Sequence, residues 1–346
     1  MRMYSTCLPA GRNNANMNSE LRQDLVSGDW IVVAPGRAKR PNFFTKNKSK
    51  RKADRIKGCP FERPQFLNNE KPDLIYPNHH DWAVQVFPNK YPAVVHKNKN
   101  VRVGVFKHGP YSIFPGVGHH DVVVTRDHYK NFPRLSRDKA NLVFRAFQDR
   151  YLVLSDHNYI DYVSILHNWG PSAGASVFHP HYQIISIPMV PPDVNHSLTG
   201  SARYFKSHRK CVHCVMIDLE LKEKKRIIFE NDKAVAFAPF VSRGPFEVRV
   251  FPKRHLPYFE NTYDEDMESV VEALQHSLRS LEKNLGDPDY NFFIHTAPVK
   301  NKERYRHYHW HIEITPVISI RGGFEWGTGI DINVIDPDDA AKILRV

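Results

Sequence analysis

One order of motifs occurs twice along the chain, and that repeat limits the fold more than any other feature. CPFE at 59–62 is matched by CVHC at 211–214, and the run ending in HDVVVTRDH at 128 by the run ending in VFPKRH at 255. SILHNWGP (164–171) is matched by NFFIHTAP (291–298), and FHPHYQIISIP (178–188) by HYHWHIEITP (307–316). The spacings agree: 127 residues from His128 to His255, 128 from His167 to His295, and 130 both from His179 to His309 and from His181 to His311. An internal duplication is the economical explanation, so each half must be a unit with the same local structure.

That unit is legible from periodicity. Between Ser136 and Ser155, apolar Ala140, Val143, Phe144, Phe147, Tyr151 and Leu154 fall at helical spacing, with Ser136 placed to cap the start. The second copy has Met267, Val271, Leu274, Leu278, Leu281 and Leu285 in the same pattern, with Thr262 and Glu265 as a capping box and Gly286 as the stop. Alternating strands flank each helix. The expected fold class is therefore α+β, two tandem halves, each an antiparallel sheet with one long helix, packed together or sharing a continuous sheet. The expected organisation is a flexible leader at 1–20, a first half at 21–195 and a second at 196–346. The first half begins with a hairpin, LRQDLVSGDWIVVAP, and the Pro-rich segment 188–205 reads as an irregular crossing. A Gly-rich return, GGFEWGTG, and a terminal helix from about Asp336 complete the second half.

A net charge of +12 and a pI near 9.4 point to phosphates, nucleic acid or an acidic membrane surface. Much of the charge lies in the run 37–57, which reads chiefly as a solvated loop, with Arg37 and Arg40 suited to phosphate oxygens. Four cysteines at this length do not make a disulfide scaffold, and the CxxC of Cys211 and Cys214 points to a metal or a redox pair in a reducing compartment. With no signal-peptide pattern and no run of 18 apolar residues, a cytoplasmic protein without a membrane partner is expected.

The His-Pro-His at 179–181 carries the chemistry. In an extended chain His179 and His181 share a face. A neutral imidazole can attack a phosphorus and later depart, which splits nucleotide transfer into two displacements. The small residues from Gly170 to Ala175 allow close backbone approach, and Asn168, Ser176 and Gln183 offer side-chain donors for negative oxygens.

The HPHYQ pentad with Asn168 and Ser176 upstream, RAKRP at 37–41, CPF at 59–61 and FPNKYPA at 87–93 together resemble the galactose-1-phosphate uridylyltransferase family of the histidine-triad superfamily, close to an ADP-glucose phosphorylase-like branch. The likeness runs from about residue 20 to near the end. It implies that the halves are histidine-triad-like and that His181 is nucleotidylated, with Gln183 and Ser176 assisting. It further implies a nucleotide sugar and a hexose 1-phosphate as substrates, with Asn89 and Asn168 on the nucleotide side, Arg37 and Arg40 on phosphates and Glu325 on sugar hydroxyls. Relatives carry zinc, which here would take Cys211, Cys214, His255 and His309, and by duplication Cys59, Glu62, His128 and His179. Glu62 stands where the family has a second Cys. Some relatives instead use a Glu with histidines equivalent to His295, His309 and His311, but Ser197 occupies the aligned Glu position. Relatives are dimers, so a homodimer is expected.

The expected reaction is uridylyl transfer from UDP-glucose to a hexose 1-phosphate such as galactose 1-phosphate by a ping-pong route, with adenylyl transfer from ADP-glucose to phosphate as the alternative. A basic zinc-containing nucleic-acid-binding protein is the remote alternative, and it is disfavoured because the basic run is poor in aromatics after Phe44. The second copy has Glu313 where the first has Gln183 and lacks the small-residue run, so only the first half should carry a nucleophile. Replacing His181 with Ala should abolish turnover and leave the circular dichroism spectrum unchanged, whereas His181→Gly should regain activity when imidazole is added. Retained activity in His181→Ala would show that another group attacks.

Overall fold

The computed structural model describes residues 19–39, 56–97, 101 and 103–345; most of the leader, most of the basic run and Arg40 lie outside them. The chain opens with the expected hairpin, β1 (Glu20–Gln23) and β2 (Trp30–Val33), turning through Gly28 at φ 86°. Strands β3 (Leu74–Tyr76) and β4 (Val84–Pro88), a small exposed hairpin of β5 (Phe106–His108) and β6 (Tyr111–Ile113), and β7 (His119–Thr125) follow. Helix α1 (Arg137–Ser155) then leads to β8 (Tyr162–Trp169) and β9 (His181–Ile187). Two helices, α2 (Pro192–His208) and α3 (Val212–Glu223), reach the second copy, β10 (Ile227–Glu230), β11 (Ala234–Phe237) and β12 (Val248–Pro252). It continues through α4 (Asp264–Leu285), β13 (Tyr290–His295) and β14 (His311–Pro316). Short α5 (Gly323–Thr328), β15 (Ile332–Asn333) and α6 (Pro337–Leu344) end the described chain.

Ten strands form one sheet in the order β10-β11-β12-β14-β13-β8-β9-β7-β4-β3. Neighbours are antiparallel throughout, and the order read outward from the centre is equivalent in both directions. The two halves thus share a continuous sheet, joined where β8 meets β13. There Leu166 faces Phe293 and Ile165 faces Ile294; with the 128-residue spacing these are one pair exchanged, so a pseudo-two-fold axis passes between them.

Both long helices cover one face. Phe144 and Phe147 of α1, Leu274 and Leu278 of α4, Tyr182 of β9 and Phe292 of β13 belong to a single buried cluster, so the duplicated units have one core. Across it the helices exchange equivalent hydrogen bonds. Gln275 Nε2 donates to the carbonyls of Phe132 and Leu135, both at 3.0 Å, while Gln148 Nε2 donates to Thr262 O at 3.1 Å and Phe259 O at 3.5 Å. Each buried amide satisfies carbonyls at the tight turn that precedes the other half's helix.

Ser136 caps α1 as expected, its hydroxyl accepting from Lys139 N, and Gly286 ends α4 in the left-handed region. The expected capping box of α4 does not form. A 3-10 turn at Phe259–Asn261 holds Thr262 N–H on Phe259 O, which moves the helix start to Asp264, and Glu265 pairs with Lys233 instead. Nor is 188–205 irregular: α2 begins at Pro192, where a missing N–H costs nothing, and buries Val194, Leu198 and Gly200. The N-terminal hairpin joins β15 in a separate three-stranded sheet rather than extending its own half's sheet. Arg22 ties it to the second half through Phe240 O (3.0 Å) and Asp336 (2.6 Å). Among the described residues, no helix is long and apolar enough to cross a membrane.

Replacing Gln275 with Leu removes the side-chain donor from two buried carbonyls, of which Phe132 O keeps the Leu135 N–H at 3.2 Å, and should destabilise the protein by about 1–3 kcal/mol in urea unfolding. Gln148→Leu should cost less, in keeping with its longer contacts.

Candidate active site and metal centres

The open face of the sheet, away from α1 and α4, carries the chemistry. Along β9 alternation puts Tyr182 and Ile184 into the core and leaves His181 and Gln183 on the open face; Asn168 on β8 faces the same way. Strand β9 starts at His181, so His179 precedes the strand. Phe61 nonetheless lies against both rings, with centroids at 6.0 Å from His179 and 5.1 Å from His181. The two histidines therefore share a side, as expected, but they engage different partners.

His181 Nδ1 donates to the His179 carbonyl at 2.9 Å, so the neutral ring carries its lone pair on Nε2. Burial lowers its pKa, an effect the bond to His179 opposes, and the balance favours the neutral, nucleophilic form. His167 holds the strand start from below, donating from Nδ1 to His181 O at 2.7 Å. The loop before His181 bends through Gly170 (φ 91°) and Gly174 (φ 90°). Asp289, from the second half, fits against Gly170 so closely that a Cβ there would stand 1.9 Å from Oδ1, and its Oδ2 accepts from Ser172 N at 2.7 Å. Ser176 is exposed on the same loop.

Cys59, His128 and His179 bring their ligand atoms together. His179 Nδ1 lies 3.1 Å from His128 Nδ1 and 3.5 Å from Cys59 Sγ, and Glu62 Oε2 is 3.5 Å from His128 Nδ1. Buried Glu62 Oε2 has no hydrogen-bond partner, as befits an atom reserved for a cation. The second set, Cys211, Cys214, His255 and His309, converges likewise, with Cys214 Sγ 3.3 Å from His255 Nδ1 and 3.5 Å from His309 Nδ1. Cys211 caps α3, so this pair sits on a helix start, whereas Cys59 and Glu62 sit in turns. A hydrogen bond from Cys214 holds the Cys211 thiol well below its usual range, and that thiolate pushes Cys214 up.

In both sets the far ring nitrogens are anchored on backbone carbonyls: His179 Nε2 on Thr125 O (2.6 Å), His309 Nε2 on Pro252 O (3.0 Å) and His255 Nε2 on Arg306 O (2.8 Å). Every one of these rings thus turns an Nδ1 lone pair inward, the donor arrangement a metal requires. A third group, His295, His311 and Glu313, occupies the place of the nucleophile in the second half. Arg249 meets Glu313 at 3.1 Å. Burial pushes the Glu313 carboxyl up, but Arg249 and His295 outweigh it and hold it well below the usual range. Ser197, at the position where some relatives have a Glu ligand, lies 3.3 Å from the Tyr308 hydroxyl.

The expected substrate residues fall in two places. Asn89 follows β4 and lies beside His120, which also contacts Gln183 on the His181 strand. Arg37 and Glu325 instead line a cavity of about 770 Å³ with Asn168, Arg243, Arg321, His295 and Glu313, and His181 is not among its lining residues. The reason is topological: Arg37 follows β2, which pairs with the tail strand β15 on the second half's side. Glu325 also accepts from Gly322 N at 3.0 Å, capping its own short helix. Sequence reasoning missed His120, Asp289, Asn291 and Phe61; strand alternation alone does not reveal which residue stands across from which.

Two fused α+β halves, each with a His-x-His at the head of the strand beside the seam strand, define a tandem histidine-triad-like architecture. A family model described as a domain of unknown function, DUF4921, matches residues 90–345. An ADP-glucose phosphorylase of Arabidopsis thaliana is 34% identical over 342 residues, 97% of this chain and 95% of that protein. A galactose-1-phosphate uridylyltransferase of Thermotoga maritima is 27% identical over 335 residues, 94% of this chain and 98% of that protein. The crystal structure of an Arabidopsis thaliana ADP-glucose phosphorylase with bound ADP-glucose superposes with a TM-score of 0.80 at 32% identity, covering 95% of this chain and 99% of that one. The chain belongs to the galactose-1-phosphate uridylyltransferase family of nucleotidyltransferases.

Gly170→Ala would drive a side chain into Asp289 at a backbone angle that disfavours it. It should slow nucleotidyl transfer at least about tenfold by displacing the loop, while Gly104→Ala, with open space around it, should be neutral in the same assay.

Proposed function

We propose that the protein transfers a nucleoside monophosphate from a nucleoside diphosphate hexose through a nucleotidyl-His181 intermediate, with ADP-glucose as donor and inorganic phosphate as acceptor. The observation that carries the reaction type is the His181 geometry: Nδ1–H fixed on the His179 carbonyl at 2.9 Å, Nε2 left as a lone pair. In the first displacement Nε2 attacks the α-phosphorus, the P–O bond to the glucose 1-phosphate moiety breaks, and that group leaves as glucose 1-phosphate. In the second, a phosphate oxygen attacks the same phosphorus, the P–N bond breaks, and ADP departs with the neutral imidazole restored. Gln183 and Asn168 offer amide donors on the open face, where the charged oxygens gather, and the Gly170–Ala175 backbone allows their approach.

The adenine preference rests on the 34% identity to an ADP-glucose phosphorylase across nearly the whole chain. Uridylyl transfer from UDP-glucose to galactose 1-phosphate is the second reading, supported by the 27% identical uridylyltransferase of similar length. Incubation with ADP-glucose or UDP-glucose, followed by peptide mass spectrometry, separates them. The expected result is an adenylyl mass on the His181 peptide and release of ADP only when phosphate is added. A uridylyl adduct discharged by galactose 1-phosphate would establish the second reading, and no adduct with either donor would defeat both.

Zinc is the proposed occupant of both converging sets: two thiolates and two imidazoles in the second suit its tetrahedral preference, and in the first one thiolate and two imidazoles have the Glu62 carboxylate beside them as the fourth donor. Bound there, it would act structurally: Cys59 and the head of α3 would be tied to the sheet, and His179, held by its ring, would keep in place the carbonyl that orients His181. Elemental analysis should find zinc in the purified protein, with Cys214→Ser lowering the content. Glu62→Cys should raise the affinity of the first site in competition with a chromophoric chelator, since thiolate binds zinc more tightly than carboxylate does. Zinc content unchanged by Cys214→Ser would remove the second assignment.

A further inference from the structure

We infer that His120 and Asn291 are positioning residues that set the two site amides, turning the NH2 groups of Gln183 and Asn168, and not their carbonyls, toward the reacting phosphoryl group. The inference rests on the nucleotidyl-transfer reading above and adds two residues to it.

A side-chain amide presents a donor at one end and an acceptor at the other, and the two ends differ little in shape. Beside an anionic phosphoryl oxygen the donor end attracts and the acceptor end repels, so a site built on amides must fix their orientation. Here each amide is anchored, through one intermediary, on a backbone group whose role admits no ambiguity.

The first chain starts at Ala93. Its backbone N–H donates to His120 Nδ1 at 3.0 Å, so that nitrogen carries a lone pair and Nε2 carries the hydrogen. The Gln183 atom 2.8 Å from Nε2 must therefore be the oxygen. Asn89 Nδ2 also stands 3.1 Å from Nε2, but Asn89 Oδ1 is held by Tyr91 N at 2.9 Å, so this neighbour is a second donor and only Gln183 supplies an acceptor. With its oxygen taken by His120, Gln183 keeps its NH2 for a ligand.

The second chain starts at Ala173. Its carbonyl can only accept, so the Asn291 atom 2.8 Å away is the NH2 nitrogen. The Asn168 atom 2.7 Å from that nitrogen must then be oxygen, and the Asn168 NH2 turns away from Asn291, toward Gly174 of the loop that precedes His181. Asn291 belongs to β13, in the half that has lost its own nucleophile, and faces Asn168 directly across the seam. His120 lies in β7, next to the strand of His181. The two amides are thus set from opposite sides of the site.

The test is a pair of double-mutant cycles on the full-length protein, read as the rate of nucleotidyl-His181 formation by rapid quench and mass spectrometry. His120→Leu, which removes the donor, and Asn291→Asp, which keeps the shape but replaces the donor by an acceptor, should each slow the step about tenfold to a hundredfold and change KM much less. His120→Gln, with an amide nitrogen able to reach the Nε2 position, should recover part of the rate. Adding His120→Leu to Gln183→Ala, or Asn291→Asp to Asn168→Ala, should cost little more than the alanine change alone, because each positioning residue acts through its amide. Additive losses, or single variants with wild-type rates, would overturn the inference and leave the function standing. No adduct in the wild-type protein would overturn the function and this inference together. Matching circular dichroism and thermal melts identify variants that fold, and the isosteric Asn291→Asp arm decides the matter if His120→Leu does not.

Discussion

Strands β8 and β13 pair antiparallel at the middle of the sheet, and the rest of the molecule depends on that seam. Each strand is the inner edge of a duplicated half, and an unpaired inner edge would expose a row of backbone donors and acceptors. Pairing the two copies of the same strand satisfies both edges at once and places the pseudo-two-fold axis between Leu166 and Phe293 on one side and Ile165 and Ile294 on the other. It also brings α1 and α4 side by side, where Gln148 and Gln275 complete each other's turns. One core follows from this arrangement, which is why Phe292 of the second half packs against Tyr182 and His167 of the first.

The same seam lets the second half contribute to the proposed site at His181. Asp289 and Asn291 enter or precede β13, and both reach over the seam to the loop that leads to His181. The backbone scheme of the first half persists in the second: His311 Nδ1 donates to His309 O at 3.2 Å, as His181 does to His179 O, and His309 is anchored on Pro252 as His179 is on Thr125. What has diverged is the ring's far side. His181 Nε2 carries a lone pair on the open face, whereas His311 Nε2 meets Glu313 at 3.6 Å, and Glu313 in turn meets Arg249. At the position of Gln183 the second half carries a carboxylate paired with a guanidinium.

In the proposed mechanism metal ligation and nucleophile orientation share one structural device. His179 offers its ring to the Cys59 and His128 group and its carbonyl to His181, so whatever fixes the His179 ring also fixes the tautomer of the nucleophile two residues later. The Pro between them ends regular pairing, and β9 starts only at His181. That break lets neighbouring histidines serve different partners from the same side of the sheet.

The sequence by itself determined the repeat, the two long helices and the His-Pro-His, because each is written in local spacing: helical periodicity for Val143 and Phe147, a cap at Ser136, two-residue separation for His179 and His181; the ligand sets came from the resemblance and the repeat, and only the folded sheet brings Cys59 to His128 and His179. It did not reveal the helix at Pro192–His208, since prolines that open a helix look like loop punctuation until the buried face of Val194 and Leu198 has something to pack on. Only the tertiary structure decided that the halves fuse through one seam, that Arg37 and Glu325 line a cavity with Asn168 and Glu313, and that His120 and Asn291 bear on Gln183 and Asn168. The physical reason is the range of the interactions. Periodicity reports which face a side chain takes, whereas a cross-strand hydrogen bond depends on register between segments more than a hundred residues apart, as between Asn168 and Asn291, and register is set by the packing of the whole sheet.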